Sequence, residues 1–319
     1  MEVVEYSKVS SLMFPAVHAA TMVEVDGVQA VTWFAGRREG DECVIRYKRE
    51  LAGETTVVSP GWAPSRTGIK SRLSLWNPVL HWTGDRLLLW FKEGVFCDRW
   101  HTMVAEITID GDIKRMASMP AGVMGPVKGP PVNIGNGMAA CGASFETYKG
   151  WSAHIEVMRV DEWPPRLVGR SLPLEVDGSA DGWIQPAVFD MGTPGLIGAF
   201  LRPRTTPRVG YVVYDAAQLE QIAGVSLDIP NPNSAIAATV SEDIVYMANN
   251  PVEEGRGVLA LSAIDVGLSG VTEVERIIVA NGSEVSYPAL IPRSEGGVWM
   301  VHTKDRIAIN RLGIEPFSM

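Results

Sequence analysis

The chain has 319 residues, and nearly half of them are apolar, which is enough for one large domain or two ordinary ones. Its formal net charge of −9 argues against a general affinity for nucleic acid or for an anionic membrane surface. We find neither a secretory leader nor a long apolar stretch, so we expect no membrane span and a cytoplasmic location.

The three cysteines, Cys43, Cys97 and Cys141, are odd in number and far apart, and they form no CxxC motif. This spacing argues against a disulfide framework or a zinc site and favours buried free thiols. The histidines also lack a ligand-like spacing, and we find no phosphate-binding or dinucleotide-binding loop. The sequence therefore predicts neither a metal site nor a cofactor.

The secondary-structure pattern is a β-hairpin that recurs along the chain. Scattered glycines and prolines indicate many turns, as in an all-β protein. Each hairpin pairs two short apolar strands bounded by Gly, Asp or Asn. In chain order the predicted strand pairs are 18–25 with 28–36, 77–82 with 85–94, 128–134 with 137–146, 185–190 with 195–204, 233–239 with 242–251, and 286–291 with 296–304.

These six copies recur about every 50 residues, a period typical of a β-propeller with roughly four strands per unit. One small sheet cannot bury both of its faces, whereas radial stacking buries each face against a neighbour. We therefore predict an all-β fold, a single six-bladed propeller over residues 1–319, with a two-sheet sandwich as the alternative. Because a propeller leaves no open edge, we expect residues 2–9 to pair beside 306–312 and close the last blade.

The inner strands of a propeller line its central channel, so equivalent positions of the repeat form a ring. Six different polar groups converging on one mouth suggest a binding site for a small molecule, although a hydrated channel that binds nothing is the alternative. The predicted ring contains His18, Asn77, Lys128, Gln185, Asn233 and Tyr287.

A second tier of side chains follows the ring at the ends of the next strands. Arginine binds carboxylates through a planar fork, so Arg202 and Arg256, with Lys128, predict an anionic substrate. A glutamate in a partly closed funnel can act as an acid or base, which makes Glu39 and Glu146 candidates. We expect this tier to include Lys92 as well.

Two aromatic side chains complete the set of candidates. Tyr287 could act as a nucleophile if a neighbouring carboxylate takes its proton. Trp100 could stack on a sugar ring, although packing in the core is an equal alternative.

The motifs in hand resemble the BNR-repeat-like branch of the sialidase superfamily. This resemblance extends from about His18 to Arg311 and implies a six-bladed β-propeller that hydrolyses glycosides of an acidic sugar. The motifs that carry it are NPVLHWTGDRLLLWFKEG, GPVKGPPV, GASFETYKGW, IQPAVF with FLRPR, LDIPNPNSAIA, GRGVLALS, and SYPALIP with VHTKDRIAIN, in this order.

The resemblance implies roles for individual residues. Tyr287 in SYPAL matches the nucleophilic tyrosine of sialidases. Arg202 and Arg256 match the second and third of the three arginines that hold the substrate carboxylate. Glu39 lies in the segment of the acid/base residue, and Asp41 is a neighbouring candidate.

Three departures separate this chain from that pattern. His18, in VHAAT, stands where sialidases have their first arginine. Gln185 stands where a glutamate assists the tyrosine, and Glu146 is a possible substitute from the next blade. Clear S-x-D-x-G-x-T-W boxes are also missing from the sequence.

The departures leave three functional hypotheses. The first is a glycoside hydrolase acting on an acidic sugar. The second is a lyase, isomerase or cyclase of small-molecule metabolism, in which His18 and a glutamate move protons while basic residues hold a carboxylate. The third is a propeller that binds without catalysis.

Overall fold

Each repeat folds as a small antiparallel sheet, and six such sheets surround a common axis. The computed structural model describes residues 1–11, 13–50, 52–64 and 70–317. The described residues form six four-stranded sheets and one two-stranded ribbon. The predicted all-β, six-bladed propeller is therefore confirmed.

The first half of the chain builds three blades. Its first strand, β1 (Val3–Lys8), stands apart because it belongs to the sixth blade. The strands that follow are β2 (Ala16–Val25), β3 (Val28–Gly36), β4 (Val44–Arg49) and β5 (Glu54–Val58) in blade one; the ribbon β6 (Trp62–Pro64) and β7 (Lys70–Arg72); β8 (Ser74–Trp82), β9 (Leu87–Gly94), β10 (His101–Ile107) and β11 (Ile113–Ser118) in blade two, with a short 3-10 helix at Cys97–Arg99; and β12 (Val132–Gly135), β13 (Met138–Thr147), β14 (Gly150–Arg159) and β15 (Arg166–Arg170) in blade three.

The second half repeats the same meander three times. The strands are β16 (Trp183–Asp190), β17 (Leu196–Pro203), β18 (Arg208–Asp215) and β19 (Glu220–Pro230) in blade four; β20 (Ala237–Ser241), β21 (Ile244–Asn249), β22 (Val258–Gly267) and β23 (Gly270–Asn281) in blade five; and β24 (Val285–Pro292), β25 (Val298–Lys304) and β26 (Ala308–Ile314) in blade six.

The hydrophobic core lies between the blades. Six clusters of buried apolar side chains are found, one at each junction of neighbouring blades. Trp33 is fully buried between blades six and one, and Trp90 between blades two and three. Both faces of a blade are covered, so a strand such as β9 can be buried almost throughout.

The ring closes through the N-terminal strand. Strand β1 is the outermost strand of blade six, where it pairs antiparallel with β26 from Val3 opposite Ile314 to Lys8 opposite Asn310. The amino group of Met1 lies 2.9 Å from a carboxylate oxygen of Glu275 in blade five. The first residues of the chain thus connect its last two blades.

Candidate active site

Four inner strands share an irregularity at the same point of the repeat. Each of the strands β2, β8, β16 and β24 pairs with the strand that follows it. In all four pairs the register shifts once, as at a β-bulge. The residue at each shift has a positive φ, and in three blades a proline follows it. Side chains with a Cβ rarely adopt this conformation, and such residues cluster at functional sites. The four residues are Ala19 (φ 53°), Asn77 (42°), Gln185 (50°) and Tyr287 (52°).

The structure corrects the predicted ring in blade one. Ala19, not His18, occupies the position equivalent to Gln185 and Tyr287, because the bulge adds a residue that periodicity alone does not reveal. His18 stands one residue earlier and pairs with Phe34. Its imidazole nevertheless reaches the site, with its ring centroid 4.1 Å from that of Tyr287.

Arg202 connects three of the predicted site residues. Its Nη1 donates hydrogen bonds to Gln185 Oε1 at 2.8 Å and to Tyr287 Oη at 2.9 Å. Its Nε donates to Asn233 Oδ1 at 2.7 Å, and its Nη2 donates to the Asn233 carbonyl at 3.2 Å. Blades four, five and six therefore meet at one guanidinium, which donates four hydrogen bonds to oxygens of these three residues.

A second guanidinium, Arg256, shares two partners with its neighbours. It donates to the Asn233 carbonyl, the same oxygen that Arg202 contacts. Its Nη1 lies 3.4 Å from Glu284 Oε1. The carboxylate of Glu284 also accepts a hydrogen bond of 2.8 Å from Arg306 Nε. Glu284 thus bridges two arginines from different loops.

Three cations lie over the ring of Tyr287. The guanidinium carbons of Arg202 and Arg256 are 5.6 Å and 5.8 Å from its centroid, and Lys128 Nζ is 5.9 Å away. Tyr287 is itself 9% exposed, so these charges lie in a largely desolvated environment. An anion placed beside the phenol would therefore interact with several cations that water screens only weakly.

The amine of Lys128 is buried in the protein. Its side chain is 2% exposed, and its Nζ donates a hydrogen bond of 2.8 Å to the Pro288 carbonyl. Burial lowers the pKa of Lys128 to about 7.

Lys92, which we also expected in the second tier, lies outside the site. It is fully buried, and its amine donates hydrogen bonds to Thr102 Oγ1 and to the Met124 carbonyl.

His18 is a neutral group at this site. Burial, followed by the charges of Arg306 and Arg256, lowers its pKa well below the usual range. Its Nδ1 lies 3.1 Å from Thr303 Oγ1, whereas its buried Nε2 has no hydrogen-bond partner among the described residues. The imidazole therefore offers polar atoms to the site but no positive charge.

The two candidate acids have different surroundings. Glu146 has a buried Oε1 without a hydrogen-bond partner in the described part of the chain. Burial raises the pKa of Glu146, and the charge of Arg202 only partly opposes that shift. Glu39, in contrast, forms a close ion pair with Arg306. A raised pKa is what a general acid requires, so Glu146 fits that role better than Glu39.

The remaining candidates lie on the side of blades one and two. Asp41 is 3.5 Å from Arg38 Nε in an exposed ion pair. The ring centroid of Trp100 is 5.9 Å from that of Trp76. The centroid of Phe34 is 5.8 Å from that of Trp76 and 5.8 Å from that of His18. A chain of aromatic rings therefore leads from His18 to Trp100, whereas Arg202 and Arg256 come from blades four and five.

Sequence reasoning missed Arg306, Glu284 and Thr303. Arg306 occupies the turn after β25, and its carbonyl accepts a hydrogen bond of 2.8 Å from Val17 N, next to His18. In blade one, the equivalent turn follows β3 and contains Glu39. Applying the second-tier argument to the last blade would therefore have identified Arg306.

We found no group of three or more His, Cys, Asp or Glu side chains that could hold a metal ion among the residues described. Within the same part of the chain, no helix is long and apolar enough to cross a membrane.

The chain was compared with known families and structures. A family model described as the BNR repeat-like domain matches residues 29–302, which is most of the chain. The chain belongs to the BNR repeat-like family. A search of curated proteins found no match.

Solved structures similar to this BNR repeat-like chain include sialidases. The Hadza microbial sialidase Hz136 has a TM-score of 0.72 at 12% identity, over 93% of this chain and 65% of that one. The Trypanosoma rangeli sialidase has a TM-score of 0.67 at 13% identity, over 94% of this chain and 55% of that one. It has also been solved in complex with sialic acid. A Dyadobacter fermentans protein of unknown function reaches 0.75 at 10% identity, over 98% of both chains.

At these identities the similarity concerns the fold. The chain has a sialidase-like scaffold, and it spans less than two thirds of the length of the two sialidases. What the scaffold binds and does must be argued from the site.

Proposed function

We propose that this BNR repeat-like protein is a sialidase-like enzyme. It binds a small, carboxylate-bearing, sugar-like substrate at the mouth of its channel and hydrolyses a glycosidic bond. The observation that carries the proposal is the convergence of Arg202, Arg256 and Arg306 around Tyr287 and His18.

The charge at the site supports an anionic substrate. Arg202 has no carboxylate partner among the described residues: its hydrogen bonds go to Gln185, Asn233 and Tyr287, which are all uncharged acceptors. A buried guanidinium without a counter-ion is costly to keep, and a substrate carboxylate would supply that counter-ion. Hydrogen bonds to charged groups contribute about 1.5–3 kcal/mol each, so loss of one weakens binding roughly 10- to 100-fold.

The aromatic side of the site supports a ring-shaped substrate. Trp76 and Trp100 belong to blade two and connect through Phe34 to His18, whereas Arg202 and Arg256 come from blades four and five. A sugar bound between these two groups would place polar groups against the guanidiniums and a C–H face against the indoles.

The proposed chemistry uses Tyr287 and Glu146. The Tyr287 oxygen attacks the anomeric carbon while Glu146 donates its proton to the departing glycosidic oxygen, and water then cleaves the tyrosyl intermediate. Gln185 occupies the position beside Arg202, and an amide does not accept a proton from a phenol. In this chain the phenol proton therefore leaves to water, which predicts a slow enzyme.

Gln185 is also the observation that would favour the second hypothesis, a non-hydrolytic lyase, isomerase or cyclase on the same scaffold. The comparisons do not favour that alternative, because the similar proteins with an assigned activity in their names are sialidases.

The test is release of a fluorophore from a sialic acid glycoside between pH 4 and 8. We expect turnover that Tyr287→Phe reduces at least 100-fold and that falls as pH rises through the raised pKa of Glu146. Glu146→Gln should remove that limb of the profile. Absence of turnover in the wild type, or an unchanged rate in Tyr287→Phe, would overturn the hydrolytic proposal.

A further inference from the structure

Lys128 makes an unusual contact across the channel. It belongs to the segment that precedes β12 in blade three, yet its Nζ donates to the carbonyl of Pro288 in β24 of blade six. Pro288 follows Tyr287, whose φ of 52° lies in the left-handed region. The single hydrogen bond of 2.8 Å thus joins Lys128 to the residue that directly follows Tyr287.

The described surroundings of Lys128 contain other cations and no carboxylate paired with its amine. Tyr287 of β24 lies with its ring centroid 5.9 Å from Nζ, and the same ring carries Arg202 and Arg256 on its other approaches. His18 of β2 feels the charge of Lys128, although burial keeps that imidazole neutral. Among the described residues, no ion pair joins the Lys128 ammonium to a carboxylate at the salt-bridge distance.

We propose that Lys128 is a positioning residue for Tyr287: its amine ties the Tyr287–Pro288 bulge to the opposite blade, and its charge sets how strongly the site holds an anion. The second half of this statement rests on the proposed function, whereas the first half does not.

The protonation state of Lys128 makes the inference testable. Burial alone lowers its pKa to about 7, far below the value of an exposed lysine. The ammonium is therefore present below neutral pH and lost above it. The arginines beside it keep their charge throughout this range, and His18 stays neutral. Between pH 6 and 8.5, Lys128 is thus the basic group near Tyr287 that changes charge, and Glu146, whose pKa burial raises, is the acidic group to be controlled for.

The first measurement needs no ligand. The protein would be labelled with 13C at the ζ carbon of tyrosine, the Tyr287 signal assigned with Tyr287→Phe, and the shift followed from pH 5.5 to 9. We expect an inflection near pH 7 in the wild type that is missing in Lys128→Arg, which keeps its charge, and in Lys128→Met, which has none. An inflection that persists in either variant after Glu146→Gln has been added, or no inflection in the wild type, would overturn the proposal.

Stability gives a second readout if the Tyr287 signal is broad. A lysine with a pKa near 7 when folded and near 10.4 when unfolded binds fewer protons in the native state between these values. Stability therefore rises with pH across that window: the unfolding constant of the wild type should fall up to tenfold per pH unit relative to that of Lys128→Met. If Lys128 instead stays protonated in the folded protein, the difference between the two proteins is independent of pH, and the change of charge on which the second half of the proposal rests does not occur.

Anion binding tests the second half of the proposal. Free sialic acid should bind the wild type about tenfold more weakly at pH 8.5 than at pH 6, because one nearby positive charge has been lost. In Lys128→Arg the affinity should be constant over that range. If sialic acid does not bind at all, the proposed function fails, while the positioning role of Lys128 is still tested by the pH dependence of the Tyr287 signal. Binding with the same pH dependence in Lys128→Arg would contradict the role of the charge.

Discussion

At the scale of single residues, Gln185 is the side chain that most limits the proposed chemistry. Its Oε1 and the Tyr287 oxygen both accept hydrogen bonds from the same nitrogen, Arg202 Nη1. The two acceptors therefore lie close together, in an arrangement in which a carboxylate could remove the phenol proton. Because Gln185 is 3% exposed, water has little access to the phenol from this direction, so transfer of the phenol proton to water is expected to be slow.

We predict that Gln185→Glu raises kcat on the sialic acid glycoside by about 100-fold, the usual contribution of a positioned general base. The added negative charge should also raise KM, because the substrate is an anion. Steady-state kinetics measures both constants. Gln185→Leu serves as the control, since it removes the amide without supplying a base. A kcat of Gln185→Glu no higher than that of the wild type would argue against Tyr287 as the nucleophile.

The residues of the site were only partly predictable. Arg202, Tyr287, Gln185 and Asn233 lie at repeat positions, and the structure brings them together. The partnership of Glu284 with two arginines depends instead on how loops of blades five and six approach each other. Sequence periodicity contains no information about such loop contacts, because they have no fixed spacing along the chain.

At the scale of elements, the segment before β12 is held by a buried ion pair. Glu156 is fully buried on β14, where it accepts hydrogen bonds from Arg170 Nε at 2.8 Å and from the backbone N–H of Gly125 at 2.7 Å. It also accepts one from Met124 N at 3.2 Å. This carboxylate therefore positions the backbone that leads to Lys128.

Glu156→Gln should destabilise the protein by about 3 kcal/mol, because it leaves Arg170 without its buried counter-ion. The matched control is Glu162→Gln, whose partner Arg166 is more than half exposed and whose loss should cost at most about 1 kcal/mol. Urea denaturation of the three proteins gives the comparison. Equal stabilities of the two variants would show that burial of the Glu156 pair contributes nothing.

Two inner strands were predicted less well than the others. The sequence indicated strands at 128–134 and 233–239, whereas the structure has β12 at Val132–Gly135 and β20 at Ala237–Ser241. Pro130 and Pro131 explain the first difference, because they have no N–H to donate to a sheet. In the second, the carbonyl of Asn233 accepts hydrogen bonds from Arg202 and Arg256 and not from a neighbouring strand. The second strand of each hairpin was predicted within a few residues, since its apolar run is uninterrupted.

At the scale of the whole molecule, the propeller depends on its closure. Blade six has only three strands from the C-terminal part of the chain, and β1 provides the fourth. The side chains of β1 are mostly exposed, so its contribution comes chiefly from backbone hydrogen bonds to β26. The six-fold repeat could be predicted from sequence because each blade must bury the same two faces.

Deletion of residues 1–8 should lower the free energy of unfolding by about 2–5 kcal/mol, through loss of several backbone hydrogen bonds. The measurement is chemical denaturation of the shortened and full chains. Tyr6→Ser is the control, because its side chain is 61% exposed and its removal leaves the strand pairing intact. A shortened chain as stable as the full chain would contradict the role of β1 in closure.

The central claim is that the arginines around Tyr287 hold a carboxylate. Calorimetric titration with free sialic acid tests it most directly, in the wild type, Arg202→Met, Arg306→Met and the control Arg159→Met, whose arginine pairs with Asp161 on blade three. We predict binding by the wild type, a loss of at least tenfold in affinity for each of the first two variants, and no change in the control. Absence of binding by the wild type, or equal affinity in Arg202→Met, would contradict the account.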